Sequence, residues 1–306
     1  MSQTSGAETG AIQVSVFGAS DIGRVRKNNE DNFVVCDLTT GEEGLGESLR
    51  RHVLGPRGTL FMVADGMGGE ASGEVASQLC SVTVPKRLYE NLKSASKVSE
   101  TNFVLMLREA IEYANQIIYQ KALANAIYKG MGTTTTAAAL FGPYLFVAQV
   151  GDSRAYLVRN RALVQLTRDQ TFLNYLADIG VEMPADPEKD SRKSILTQAV
   201  GTSESVDVKV TYAKVCQGDQ MMICSDGLYN MVRLEEIRRI TAGPDDLAAK
   251  CEALISSANQ GGGMDNVTVI LAEFSGPGLS PPPPSGEVAF KQFRETDFQA
   301  PSPTEK

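Results

Sequence analysis

The 306 residues carry 42% apolar and 22% charged side chains, the balance of a globular chain long enough for one large core or two ordinary ones. A formal charge of −8 excludes a general binder of nucleic acid or of anionic membrane surfaces, and suits a cation site instead. The five cysteines are odd in number and scattered, with no Cys-x-x-Cys pair, so reduced and buried thiols are expected rather than zinc or disulfide chemistry.

Residues 1–11 have neither a basic start nor an apolar stretch; they read as disordered and not as a secretory signal. IQVSVFG (12–18) and 33–37 alternate as strands do. The polar, glycine-rich GEEGLGESLRRHVLGPRG (41–58) reads as a loop insertion, with the single histidine, His52, in solvent. A short apolar run follows at 59–64, and Val104, Leu107, Ile111, Ala114 and Ile118 fall at helical spacing within 101–125. TTTTAAAL, LFVAQV, AYLVR and ALVQLT, separated by turn residues, predict an antiparallel meander. VDVKVTYAKV, QMMICSDG and VTVILAEF read as strands, and LEEIRRI and DLAAKCEALISSAN as helices. From Ser275 the chain holds seven of its thirteen prolines and reads as a disordered tail, 275–306. Phe290, Phe293 and Phe298 within it either anchor a partner, fold back on the domain or are incidental, and composition favours the last.

Helical pairs set among about ten strands predict sheets packed together with helices outside, in one domain over 12–274. The longest apolar stretch, 136–150, is interrupted by Gly142-Pro143 and is too short to cross a membrane, so a cytoplasmic protein without membrane contact is expected. One histidine leaves no room for multi-histidine zinc sites, and neither a phosphate-binding P-loop nor a Cys-x5-Arg loop is present. An enzyme built from this chain works with carboxylates, arginines, hydroxyls and metal.

VADGMGG (63–69) looks first like a hairpin, since Asp-Gly is a strong turn signal. The residues after Asp65-Gly66, and after the parallel Asp226-Gly227, do not alternate as a return strand should; both look helical. An apolar strand ending in aspartate before a helix puts oxygen ligands on rigid support. Similar punctuation places Glu30 and Asp31 before a strand, Asp152 at a strand end and Asp265 just before the last strand. Each alone is an ordinary turn residue. Brought together, Glu30, Asp65, Asp152, Asp226 and Asp265 would form an all-oxygen cluster that only hard divalent cations make tolerable, Mg²⁺ or Mn²⁺ by ligand type.

The motifs R-x3-ED (Arg26 to Asp31), DGMGG (65–69), GTT (132–134), GDSRAY (151–156), LTRDQ (166–170), SDGL (225–228) and DN-x-T (265–268) stand in this order, with ILTQAVG (195–201) among them. In this the chain resembles the metal-dependent protein serine/threonine phosphatases, type 2C, in their bacterial branch. The resemblance covers about 12–274. It implies an α+β fold, a four-layer α-β-β-α sandwich of two antiparallel sheets flanked by helix pairs, with the metal site at one end.

By matched position, Asp65 would bridge two Mn²⁺ or Mg²⁺ ions, Glu30 and the Gly66 carbonyl would bind one, and Asp226 with Asp265 the other. Asp31 would support that shell, Asp152 with Asp226 would form a weaker third site, and Arg26 would grip the substrate phosphate through paired hydrogen bonds. The implied reaction is hydrolysis of phosphoserine and phosphothreonine in proteins by a hydroxide shared between two ions, with no protein nucleophile. Some relatives have histidine where this chain has Met67, which donates no proton to the leaving group. Residues 168–195 lie where the family has a mobile flap; they either gate the site or form a surface excursion. Phosphorylated proteins, a cognate Ser/Thr kinase and a monomeric state are expected, in a signalling role. The alternatives weighed are a non-catalytic module of the same fold and a phosphatase dedicated to one regulatory protein.

Overall fold

A computed structural model of the chain describes residues 10–68, 72–181, 190 and 192–298. The expectation of disorder at 1–9, Gly69 of DGMGG, flap residues 182–189 and 191, and the last eight residues of the tail lie outside that description.

The first third of the chain forms β1 (Gln13–Asp21), β2 (Asp31–Asp37), α1 (Glu47–Arg50), β3 (Arg51–Val53), β4 (Thr59–Met67), α2 (Ser72–Ser94) and α3 (Glu100–Ala124). The middle supplies β5 (Gly132–Thr133), β6 (Thr135–Phe141), β7 (Tyr144–Val150), β8 (Arg154–Arg159), β9 (Ala162–Gln165) and α4 (Phe172–Asp178). The last part adds β10 (Lys209–Lys214), β11 (Gln220–Cys224), α5 (Asp226–Tyr229), α6 (Leu234–Thr241), α7 (Leu247–Gln260), β12 (Val267–Ser275) and β13 (Phe290–Gln292).

Two antiparallel sheets result, one in the order β3-β1-β12-β11-β8-β9 and the other β13-β10-β7-β6-β4-β2, with β5 attached to β4. Their strands are apolar on both faces because each face has a partner layer. In β4, Leu60, Met62 and Ala64 pack toward α2 and α3, while Phe61 and Val63 meet the other sheet. In β12, Val267, Val269 and Leu271 pack toward α6 and α7, and Ile270, Ala272 and Phe274 face inward. Three apolar layers thus separate four structural layers, the α-β-β-α sandwich expected. All five cysteines are free and buried. No helix among the described residues is long and apolar enough to cross a membrane.

The structure departs from the sequence reading in three places. The predicted meander is split: β6 and β7 pair in one sheet, β8 and β9 in the other. The chain changes sheets at Gly151, whose φ of +99° is open to glycine and whose missing Cβ would stand 2.7 Å from the Thr134 side chain. His52 is not a solvated loop residue. It lies in β3, paired to β1, and its Nδ1 donates to Leu49 O (3.0 Å) while Nε2 shares a hydrogen bond with Thr59 Oγ1 (2.7 Å). A carbonyl only accepts, which makes Nδ1 the donor to Leu49 O.

Residues 276–298 do not form the free tail that their composition predicts. β13 pairs with β10, Phe293 N donates to Val210 O at 2.8 Å, and the Phe298 ring centroid lies 5.0 Å from those of both Tyr144 and Tyr212. Arg159, in a buried ion pair with Asp219 (2.6 Å), also donates to Glu287 O at 2.8 Å. The aromatic residues beyond the proline run supply the apolar area that this return requires.

Candidate active site

β2 starts where its antiparallel ladder with β4 closes, with Asp31 opposite Asp65. The GTT stretch fixes the Asp65 backbone: Asp65 N donates to Thr134 Oγ1 (3.1 Å), and its carbonyl accepts from Thr133 Oγ1 (2.9 Å) and Thr134 N (2.8 Å). The chain then passes Gly66 and enters α2 at close quarters. A Cβ on Gly66 would lie 2.3 Å from Gly73 O, and one on Gly73 would lie 2.9 Å from the Glu30 carboxylate. Glycine at both positions therefore lets Glu30, the end of β4 and the first turn of α2 meet.

The loop that carries Arg26 and Glu30 is held by Asn266. Its Oδ1 accepts from Glu30 N (2.8 Å), and its Nδ2 donates to Ile22 O (2.9 Å) and Asn28 O (3.0 Å). Asp265, next in sequence, accepts from Arg26 Nη2 at 2.7 Å and from Asn266 N at 2.9 Å. Asp226 begins α5 and accepts from Asn230 Nδ2 at 3.0 Å. Asp152 lies at the sheet crossover, where its carbonyl accepts from Tyr229 OH at 3.1 Å.

Arg26, Glu30, Asp65, Gly66, Asp152, Asp226 and Asp265 line one cavity of about 510 Å³, together with Met67 and, from the flap, Ser194 and Ile195. Asp31 stands behind them, buried, its Oδ2 accepting from Ser225 Oγ and Thr268 Oγ1 at 2.7 Å each. Its Oδ1 is buried without a hydrogen-bond partner.

So many carboxylates out of water resist ionisation. Burial pushes Asp226 up to about 8, with repulsion from Asp152, Asp265 and Asp31 adding to it. Burial likewise holds Asp65 well above the usual carboxylate range, reinforced by Asp31, Asp226, Asp152 and Asp265. Asp31 rises to about 6 because burial outweighs its two hydroxyl donors, and Asp152 to about 6 through burial and the nearby Asp169. Glu30 is raised by burial against the pull of Arg26.

This donor set fits hard divalent cations: oxygen only, excess negative charge, and one buried carboxylate oxygen with no partner. Among the described residues no three His, Cys, Asp or Glu side chains are gathered tightly enough to hold an ion unaided. The carboxylates ring a cavity instead, which suits an ion that keeps several waters.

Comparison with known proteins agrees with this geometry. Residues 49–268 match the family model described as Protein phosphatase 2C. The chain belongs to the protein phosphatase 2C family. Serine/threonine phosphatase stp of Listeria monocytogenes is 33% identical over 254 residues, which span 83% of this chain and 93% of that protein. The crystal structure of the Mycobacterium tuberculosis serine/threonine phosphatase PstP/Ppp superposes with a TM-score of 0.71 at 32% identity, covering 86% of this chain and all of the other. The catalytic domain of PstP in complex with 2 manganese ions gives 0.69 at 31% identity, over 87% of this chain and all of that one. Membership places this 2C-family chain among the bacterial protein serine/threonine phosphatases.

Two contributions were not legible beforehand. Asn266 is adjacent to Asp265 in the DN pair, but only the fold shows it clamping a loop more than two hundred residues away. Arg154 joins the flap base to the site: its guanidinium pairs with Asp169 at 2.6 Å and stacks 3.5 Å from the Tyr229 ring centroid. The GDSR motif contained it without indicating either partner.

Proposed function

We propose that this chain hydrolyses phosphoserine and phosphothreonine in proteins with two divalent ions, Mn²⁺ or Mg²⁺, opposing a Ser/Thr kinase in cytoplasmic signalling. What carries the reading is convergence: a cation and five carboxylates from distant stretches of sequence face one cavity. Glu30, Asp65 and the Gly66 carbonyl would hold one ion, and Asp65, Asp226 and Asp265 the other. Asp31 would support this set of ligands from behind, and Asp152 with Asp226 would form a weaker third site. Bound ions of this kind acidify water toward neutral pH and shield the phosphoryl charge.

The protein's own groups do the rest. Arg26 stands at the cavity mouth, half exposed, where its guanidinium can turn from Asp265 to a phosphoryl group and donate paired hydrogen bonds. Met67 lines the cavity and gives no proton, so protonation of the departing alkoxide is left to water. The manganese-bound PstP structure supports the choice of ion by analogy. Residues 12–274 would form the catalytic domain, with 168–195 as its flap.

The test is turnover of a phosphothreonine peptide by chelator-treated protein, before and after adding Mn²⁺ or Mg²⁺. Phosphate release only after addition supports the reading; undiminished release in excess chelator contradicts it.

A further inference from the structure

Between Val150, the last residue of β7, and Arg154, the first of β8, the backbone leaves the strand ladders, and here Asp152 reaches the cavity. Its buried polar groups need partners from elsewhere. Gly151 N donates to Gln170 Oε1 at 2.7 Å, and Gly151 O accepts from Gln170 N at 3.0 Å and from Gln149 Nε2 at 3.2 Å. Gln170 Nε2 donates to Gln149 O at 3.3 Å, near the end of β7. One residue, the last of LTRDQ, thus grips the crossover and the strand before it with its backbone and both ends of its amide. It also ties the base of the flap. Gln170 O accepts from Thr197 N (2.8 Å) and Thr197 Oγ1 (2.9 Å), Gln170 Oε1 accepts from Gln198 Nε2 (3.0 Å), and Phe172 N donates to Ile195 O (2.7 Å). The two roots of the flap therefore lie side by side, and Ser194, Ile195 and Leu196 at the second root line the cavity.

We propose that Gln170 is a positioning residue, which sets the Gly151–Asp152 crossover, and with it the Asp152 carboxylate, against the base of the flap. The inference rests on the reading of Asp152 as a ligand of the weaker ion. Gln170 is not among the described cavity-lining residues and acts through its neighbours. Gly151 is buried, so without the Gln170 amide its N–H loses its acceptor out of water and the crossover shifts to find another. The residue carried along is Asp152. Groups that orient a metal ligand commonly govern affinity by about ten- to hundredfold, although they touch no ion themselves.

The experiment is calorimetric titration with Mn²⁺ of the wild-type protein, Asp152→Asn, Gln170→Met and Gln198→Met, with thermal unfolding of each. Asp152→Asn identifies the weaker binding step. Gln170→Met, which keeps the length of the side chain and removes its amide, is expected to weaken that step about ten- to hundredfold and to leave the tight step within about twofold. Gln198→Met breaks the same flap base without touching Gly151, and is expected to lower Tm while both steps keep their wild-type affinity. Should Gln170→Met not fold, Gln170→Asn carries the same expectation, because its amide is one methylene too short to hold Gly151 N. A weaker step of wild-type affinity in the Gln170 variant overturns the inference, as does an equal loss in Gln198→Met, which would mark a general loosening of the flap base. A wild-type protein without a weaker step, or one that Asp152→Asn leaves intact, removes the reading of Asp152 and the inference with it.

Discussion

Asp31 and Asp65 face each other across the end of the β2–β4 ladder. Like charges placed directly opposite weaken a strand pair, and here both are withdrawn from water. Ser225 and Thr268 satisfy one oxygen of Asp31, leaving the other buried and unpartnered. The fold therefore holds this end of the sandwich at a cost that protons or cations relieve.

Stability of the chelated protein should fall as pH rises. Asp31 and Asp152 are shifted up to about 6 and Asp226 to about 8, so the folded state binds more protons than the unfolded state above the ordinary carboxylate pKa of about 4. The favourable contribution is complete below about pH 4 and is lost as pH climbs through these raised values to about 8. Thermal unfolding in chelator should give a Tm several degrees higher at pH 5 than at pH 8, and saturating Mn²⁺ should narrow the gap. A Tm that rises from pH 5 to pH 8 in chelator contradicts this.

Asn266→Ala removes three hydrogen bonds and leaves Glu30 N without its partner. The expected loss is about 1–3 kcal/mol of stability, read by urea unfolding. Because the loop it clamps carries Arg26 and Glu30, the Mn²⁺ concentration for half-maximal activity and the KM for a phosphopeptide should both rise. An unchanged metal dependence would confine Asn266 to packing.

Arg26→Ala should lower kcat/KM for a phosphopeptide about ten- to hundredfold, the value of a charge-assisted hydrogen bond to phosphate. Arg26→Lys should recover only part of that loss, since an ammonium lacks the paired donors of a guanidinium. Full recovery by lysine would show that charge alone matters at this position.

Phe293→Ala should cost about 3 kcal/mol, as for other buried phenylalanines, while kcat on p-nitrophenyl phosphate stays unchanged. Phe293 packs beside Tyr212 and Phe298, directly after β13, the edge strand that pairs with β10. A variant with wild-type stability would show the C-terminal return to be dispensable.

The four layers and the acidic positions were readable because they rest on local signals. β4 and β12 announce themselves by continuous apolar runs, and Asp65 and Asp226 by the Gly that follows each aspartate and the helix that follows it. What escaped depends on distant pairing. The sheet change at Gly151 looks in sequence like any turn, and only the Thr134 side chain packed against it shows why a Cβ is excluded. Proline-rich composition at 281–284 masked a return whose affinity lies in aromatic residues further on. His52 looked solvated because its partners, Leu49 O and Thr59 Oγ1, give no apolar signal.

The central claim is that Asp65 organises the ions that perform hydrolysis, and Asp65→Asn tests it most directly. Calorimetric titration with Mn²⁺ and phosphate release from a phosphothreonine peptide should be measured on the same folded preparation. Loss of the tight binding step together with a fall in kcat of at least about a thousandfold is the expected result. Asp65→Asn protein that still binds Mn²⁺ tightly and releases phosphate at the wild-type rate would contradict it.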